Sequence, residues 1–271
     1  MIKQAIIPLA GLGTRLLPLT SVFAKELLPI NGKPGIEYIL DECIEAGVKE
    51  VIFIISKKKM MIKDYFYNDV FYKEIIKKKK DQNIVRKYKK ILRYKKMIKF
   101  VYQNKPLGTG DAVLKTQKFI KDNFFLMLLP DDLIIKKNCS LSMINIHNRY
   151  KTCIMASMNV NKKNVSRWGI YKLGKKIIKK NYHIKDVVEK PSVNKAPSNK
   201  AVIGRYILHK NIFSKLKKLK PGKSGEIHIT DAIRSLINEK NKFIAHNFSG
   251  KYLDCGSMEG YIKSNLEISK L

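Results

Sequence analysis

Gln4-Ala5-Ile6-Ile7-Pro8-Leu9-Ala10-Gly11-Leu12-Gly13-Thr14-Arg15 sets a short apolar run directly against a glycine turn. The run reads as a buried first strand. A strand opening into a glycine loop is where open α/β sheets bind phosphates, because glycines let backbone N–H groups approach and point at an anion. Two better-known phosphate motifs do not fit. A dinucleotide fingerprint would need a third glycine where Leu16 stands, and no Gly-Lys-Ser/Thr ending of a P-loop follows. On its own, Gly-x-Gly is better read as a bare turn between strand and helix.

Working outward, apolar runs alternate with helical patterns, which predicts α/β architecture with a largely parallel sheet flanked by helices. Val51–Ile55, Ile98–Gln103, Phe124–Leu129 and Cys153–Met158 read as further strands, apolar enough to be covered on both faces. Pro34–Ala46 reads as a helix with Ile36, Ile39, Leu40, Cys43 and Ile44 as its apolar stripe. The basic, weakly patterned Lys73–Lys96 reads as a surface helix pair or a mobile insertion. After about Asn159 the pattern changes. Trp168–Leu173, Ile184–Val188 and Ala201–Leu208 are strands separated by polar turns, a smaller β-rich lobe expected on the sheet's C-terminal edge. Asp231–Asn238 reads as a helix capped by Thr230, and a last helix runs from about Ser257. The chain thus reads as one domain, with residues 1–159 forming one part and residues 160–271 a second.

The chain has 271 residues, 45% of them hydrophobic, and a formal net charge of +33. Two readings of the charge compete: a polyanion partner such as nucleic acid or membrane phospholipid, or compositional drift of an AT-biased coding sequence. The lysines are spread over many segments, including Lys57–Lys59, Lys77–Lys80, Lys95–Lys96 and Lys175–Lys180, which favours drift. No RNA-binding motif accompanies the charge. No apolar stretch approaches the roughly 20 residues that span a bilayer, and no signal-peptide pattern opens the chain, so it reads as soluble and cytoplasmic. Cys43, Cys139, Cys153 and Cys255 are scattered, without metal or disulfide spacing; Cys43 and Cys153 read as small core residues. The five histidines lack metal spacing.

The full run AGLGTRLLPLTSVFAKELLPINGKPGIEY, from Ala10 to Tyr38, resembles the signature of the sugar-phosphate nucleotidyltransferase family, matched at Gly11, Gly13, Thr14, Arg15, Pro18, Lys25, Pro29, Lys33 and Pro34. The likeness extends from Lys3 to about Tyr261. It implies a Rossmann-like fold with a sugar-binding β-rich lobe. Residues 1–159 would then hold a nucleotide, and residues 160–271 a sugar phosphate and the C-terminal helix. It further implies that Ala10, Gly11, Gly13 and Thr14 cradle a triphosphate, that Arg15 and Lys25 hold its charge, and that Gln103 and Gly108 of Gln103-Asn104-Lys105-Pro106-Leu107-Gly108 read the base. Asp131 of Leu128-Leu129-Pro130-Asp131-Asp132 and Asp254 of Tyr252-Leu253-Asp254-Cys255-Gly256 would hold Mg²⁺ or its water shell, with Asp132 a neighbour or cap. Glu189-Lys190-Pro191 resembles the family's sugar element: Glu189 on the hydroxyls, Lys190 on the phosphate, with Gly169 and Val202 beside the hexose. Gly225–Ala232 matches a helix start taken as mostly structural.

Ala-Gly-Leu-Gly in the loop and Glu26 after Lys25 favour the branch that joins UTP to glucose 1-phosphate. A thymidylyl- or cytidylyltransferase of the same fold is the alternative; a basic nucleic-acid-binding protein is a more distant one. Asn104, Leu107, Asp111 and Trp168 depart from the branch's usual glycine, lysine, histidine and tyrosine. A homo-oligomer, dimer or tetramer, is also implied, with no specific nucleic acid and no membrane among its partners.

Overall fold

The computed structural model describes residues 2–178, 180–222 and 225–271. Lys179, within the basic Lys175–Lys180 run, lies outside them. In chain order the elements are β1 (Gln4–Pro8), the short hairpin β2 (Pro29–Ile30) and β3 (Lys33–Pro34), α1 (Gly35–Glu45), β4 (Glu50–Ile55), α2 (Met60–Tyr67), α3 (Val70–Lys79), α4 (Gln82–Met97) and β5 (Ile98–Tyr102). There follow α5 (Gly108–Lys115), β6 (Phe124–Leu128), β7 (Asp132–Ile135), α6 (Cys139–Tyr150), β8 (Cys153–Asn159), β9 (Gly169–Ile178), β10 (Asn181–Glu189) and β11 (Lys200–His209). The last are α7 (Ile212–Leu216), α8 (Ile229–Asn238), β12 (Phe243–Asn247), β13 (Lys251–Asp254) and α9 (Met258–Ile268).

Among the described residues nine strands form one mixed sheet in the order β5-β4-β1-β6-β11-β8-β12-β10-β9. β5, β4, β1 and β6 run parallel. β11 then enters antiparallel between β6 and β8. Strand β1 has period-two burial into two cores. Ala5 and Ile7 face a layer built from α1, α2, α4 and α6, and Ile6 faces one built from α5, α7 and α8. Both faces are apolar because both are covered, which is why these strands read as unbroken hydrophobic runs.

Two expectations need correction. Of the strands after Asn159, β10 and β9 do extend the sheet's edge, but as part of the main sheet, and β11 occupies its middle. The β9–β10 hairpin joins the sheet twice, through Asn181–His183 on β12 and Ile170 on Ala201 of β11. Helix α8 starts at Ile229, with His228 as its N-cap, so Thr230 lies inside the first turn and its hydroxyl serves another purpose. The basic segment is a helix pair: α4, capped by Asp81, buries Ile91, Tyr94 and Met97. All four cysteines are buried and free.

A fully buried ion pair ties the layers together behind the site. Arg205 of β11 is 0% exposed. Its Nη2 donates to Glu42 Oε2 at 2.8 Å, and its Nη1 donates to the carbonyls of Leu129 and Gly204, both at 3.1 Å. Glu42 of α1 also accepts from the backbone N–H and hydroxyl of Ser140, at 3.1 and 2.6 Å.

Candidate active site

The parallel arrangement of β1, β5 and β6 brings their C-terminal ends to one rim of the sheet, where three loops meet. The first is Ala10–Arg15. Gly13 has φ 73°, and a Cβ there would lie 3.1 Å from Thr20, whose hydroxyl donates to the Gly13 carbonyl at 2.8 Å. The backbone is thus turned by a residue that a side chain would strain. The loop lines a cavity of about 560 Å³, whose wall also holds Lys25, Gln103, Gly108, Asp131, Glu189 and Lys190.

A second cavity of about 180 Å³ adjoins it, walled by Arg167, Trp168, Gly169, Val202 and Asp254. Arg15, Asp131 and Glu189 line both. The predicted nucleotide residues therefore lie together in the larger space, and Gly169, Val202 and Asp254 in the smaller. Lys190 belongs to the wall of the larger. It has φ 43°, and its Nζ lies 4.0 Å from Glu189.

At the junction Asp131 accepts from Lys25 Nζ at 2.6 Å, with Arg15 Nη2 at 3.6 Å. Burial works to raise the Asp131 pKa, but the Lys25 ammonium, a backbone hydrogen bond and Arg15 together outweigh it and hold the carboxyl below its ordinary range. In turn, burial works against the charge on Lys25, but Asp131 and then Glu26 more than offset it and raise the ammonium's pKa. Glu26 is itself buried, paired with Lys59 at 2.8 Å.

Antiparallel pairing of β7 with β13 sets Asp132 opposite Asp254, and the next bond runs from the Cys255 N–H to the Asp131 carbonyl at 2.8 Å. This ladder brings Asp131 and Asp254 to the same spot. A Cβ on Gly256 would lie 2.6 Å from Arg15 Nη2, 2.7 Å from Asp131 Oδ2 and 3.2 Å from Asp254 Oδ1. Asp254 also accepts from Gly256 N–H at 2.9 Å and from Arg167 Nη2 at 3.1 Å. Asp132, also in the wall of the smaller cavity, accepts from Tyr252 Oη at 2.6 Å and from Gly204 N–H at 2.8 Å. Burial, and then the charge of Asp131, push its pKa up to about 6. Its two carboxylate oxygens are both already hydrogen-bonded within the protein.

Two carboxylates around a space that a methyl group would fill offer hard oxygen donors, which suit a small divalent cation. Among the described residues no group of three or more His, Cys, Asp or Glu converges for a metal. A cation there would draw its remaining ligands from phosphate oxygens and water, as Mg²⁺ commonly does.

The segment 225–230, read from sequence as a mere helix start, is part of the site. Gly110 N–H donates to the Ile227 carbonyl at 2.7 Å, and Ile227 N–H donates to the Leu107 carbonyl at 2.8 Å. Gly108 has φ 92°, and its missing Cβ would fall 2.6 Å from the Ile227 carbonyl oxygen. Thr230 Oγ1 donates to Glu189 Oε2 at 3.0 Å. Sequence reasoning also missed Arg167 and Gly256. Gly256 sits inside a quoted motif, but only the structure shows what its lack of a side chain leaves room for.

A family model described as nucleotidyl transferase matches residues 4–270. The chain belongs to the nucleotidyl transferase family. Among its relatives in this family is the UTP–glucose-1-phosphate uridylyltransferase of Bacillus subtilis (strain 168), 36% identical over 273 residues, covering 99% of this chain and 91% of the relative. A solved UDP-glucose pyrophosphorylase complexed with UDP-glucose superposes with a TM-score of 0.88 at 37% identity, covering 100% of this chain and 99% of that one. A UTP-bound enzyme of the same type from Acinetobacter baumannii gives 0.88 at 32% identity, covering 99% and 93%. The fold is therefore that of these nucleotidyltransferases. Among the described residues no helix is long and apolar enough to cross a membrane.

Proposed function

We propose that this nucleotidyltransferase joins UTP and α-D-glucose 1-phosphate to give UDP-glucose and pyrophosphate. The observation that carries the reading is Asp131, held by Lys25 at 2.6 Å and flanked by Arg15, in the shared wall of the two cavities. A reaction between two phosphorylated substrates needs this kind of charged junction. The names and bound nucleotides of the relatives support the same substrates.

In this reading a phosphate oxygen of glucose 1-phosphate attacks the α-phosphorus of UTP. The bond from that phosphorus to the α,β-bridging oxygen breaks, and pyrophosphate departs in line. The nucleophile is already an anion, so no general base is required. Ala10, Gly11, Gly13 and Thr14 cradle the triphosphate, and Arg15 and Lys25 offset its growing charge. Gln103 and Gly108 meet the base. Glu189, kept in place by Thr230, meets the sugar hydroxyls beside Gly169 and Val202. Lys190 holds the phosphate of the sugar phosphate, and alignment of the two substrates supplies much of the rate. Asp131 and Asp254 would hold Mg²⁺, which when bound neutralises phosphate charge.

By the same reading residues 1–159 serve the nucleotide and residues 160–271 the sugar phosphate. The enzyme works in the cytoplasm as a dimer or tetramer. Pyrophosphate release with UTP, glucose 1-phosphate and Mg²⁺, compared with dTTP and CTP and with EDTA added, tests it. Efficient turnover confined to UTP with Mg²⁺ is expected. A preference for dTTP or CTP, or turnover undiminished in EDTA, overturns the assignment.

A further inference from the structure

Gln103 is 4% exposed at the end of β5, and both donor positions of its amide are taken. Nε2 donates to the Gly108 carbonyl at 3.1 Å and to Asp111 Oδ2 at 2.8 Å. Both partners accept only: a carbonyl oxygen has no proton to give, and neither has a carboxylate. Asp111 is itself buried on α5, and Lys115 Nζ lies 3.4 Å from its other oxygen. With the nitrogen fixed inward, Gln103 Oε1 is the amide's remaining hydrogen-bonding atom. Among the described residues it accepts no hydrogen bond, and Gln103 lines the larger cavity.

We infer that Asp111 is a positioning residue for base selection: it locks the Gln103 amide with its acceptor toward the base. The inference rests on the reading of Gln103 as a base contact. A free glutamine side chain is ambivalent, since a half-turn about its last torsion exchanges donor for acceptor, and it accommodates either kind of pyrimidine edge. A locked one is not. An acceptor matches the ring N3–H of uracil or thymine. Against cytosine, whose N3 carries a lone pair, two acceptors face each other and both lose their water without gaining a bond. Asp111 therefore separates N3–H pyrimidines from cytosine and leaves uracil and thymine undistinguished.

Asp111→Asn keeps the shape of the side chain but adds a donor that can bind the flipped amide through Oε1. The kcat/KM ratio of UTP to CTP is expected to fall at least about tenfold, with the KM for glucose 1-phosphate unchanged. Gln103→Ala, measured alongside, should lower the same ratio. Equal losses for UTP and CTP in Asp111→Asn, or an unchanged ratio, overturn the role of Asp111 while the Gln103→Ala result leaves the base contact standing. An unchanged ratio in Gln103→Ala removes the base contact itself. Calorimetric titration of UTP and CTP onto both variants gives the same comparison without turnover.

Discussion

Arg205 and Glu42, 163 residues apart in the chain, form a guanidinium–carboxylate pair in the middle of the molecule: Arg205 Nε reaches both carboxylate oxygens at 3.1 Å and Nη2 reaches Oε2 at 2.8 Å. Removing one partner leaves the other charged and buried. Glu42→Gln should therefore cost about 3–5 kcal/mol of stability in urea unfolding. A double variant, Glu42→Met with Arg205→Met, should lose less than either single replacement. A single variant as stable as wild type would show that the pair is neutral to the fold.

Gly256 is at ordinary negative φ, so alanine there brings no backbone strain, only a methyl group between Arg15 and Asp131. Asp131 cannot retreat without losing Lys25. Gly256→Ala should lower kcat about a hundredfold through misplaced charge, with the melting temperature little changed. Normal turnover would mean that the space beside Asp131 is unused.

Thr230→Val removes the donor to Glu189 while keeping the side chain's shape. Binding of glucose 1-phosphate should weaken several-fold, consistent with about 1 kcal/mol for a hydrogen bond, and UTP binding should hold. Lys190→Ala should weaken glucose 1-phosphate binding by about ten- to a hundredfold, again sparing UTP. Calorimetric titration of each variant with each substrate separates these effects. Loss of UTP affinity in Lys190→Ala would reassign Lys190 to the triphosphate, whose cavity wall it shares.

His246 bridges Asn181 Oδ1 at 2.7 Å and Ser142 Oγ at 2.8 Å. Burial first, and Lys180 second, push its pKa down to about 4 from 6.5. The unfolded chain therefore takes up a proton at a pH where the folded chain does not. The contribution of His246 is fully present above about pH 6.5 and declines as the pH falls toward about 4. The stability gap between wild type and His246→Gln, read from urea midpoints, should be constant above pH 7 and narrow below pH 6. A gap that stays parallel down to pH 4.5 would falsify the assignment.

The strands of the parallel half were legible because burial on both faces leaves no polar interruption in Gln4–Pro8, Glu50–Ile55 or Phe124–Leu128. The start of the last helix near Ser257 was legible, and there the Ser257 hydroxyl accepts from Gly260 N–H, three residues on. What could not be read locally was order and partnership. Nothing in Lys200–His209 says that it inserts between β6 and β8, because strand neighbours are chosen by closing energies distributed over the whole sheet. Arg205, a lone cation inside an apolar strand, was the available signal, but its partner lies in α1. Thr230 was misread for a similar reason: a threonine before an apolar run is a cap by local rules, and only the fold brings Glu189 within 3.0 Å. The Ala10–Arg15 loop, Gln103 and Asp131 share a rim because each follows one of the parallel strands β1, β5 and β6, whereas Gly169 opens β9 and Val202 lies within β11. The bonds that orient them, such as Gln103 to Asp111, needed side-chain geometry.

The insertion of β11 between β6 and β8 also sets a timetable for the nascent chain. When the ribosome has released the first 199 residues, the loops that follow β1, β5 and β6 have all been made. Yet β6 and β8 still present the backbone edges that β11 will bridge. Such edges are sticky, and the Phe124–Leu128 edge is apolar as well. Only when Lys200–His209 arrives do both edges close, and Arg205 comes with it to Glu42 and to the carbonyl of Leu129, two residues before Asp131. The walls of the two cavities are thus completed late in synthesis, once β11, Glu226–Thr230 and Asp254 have all emerged, and a chain truncated before His209 should aggregate instead of persisting as a folded half.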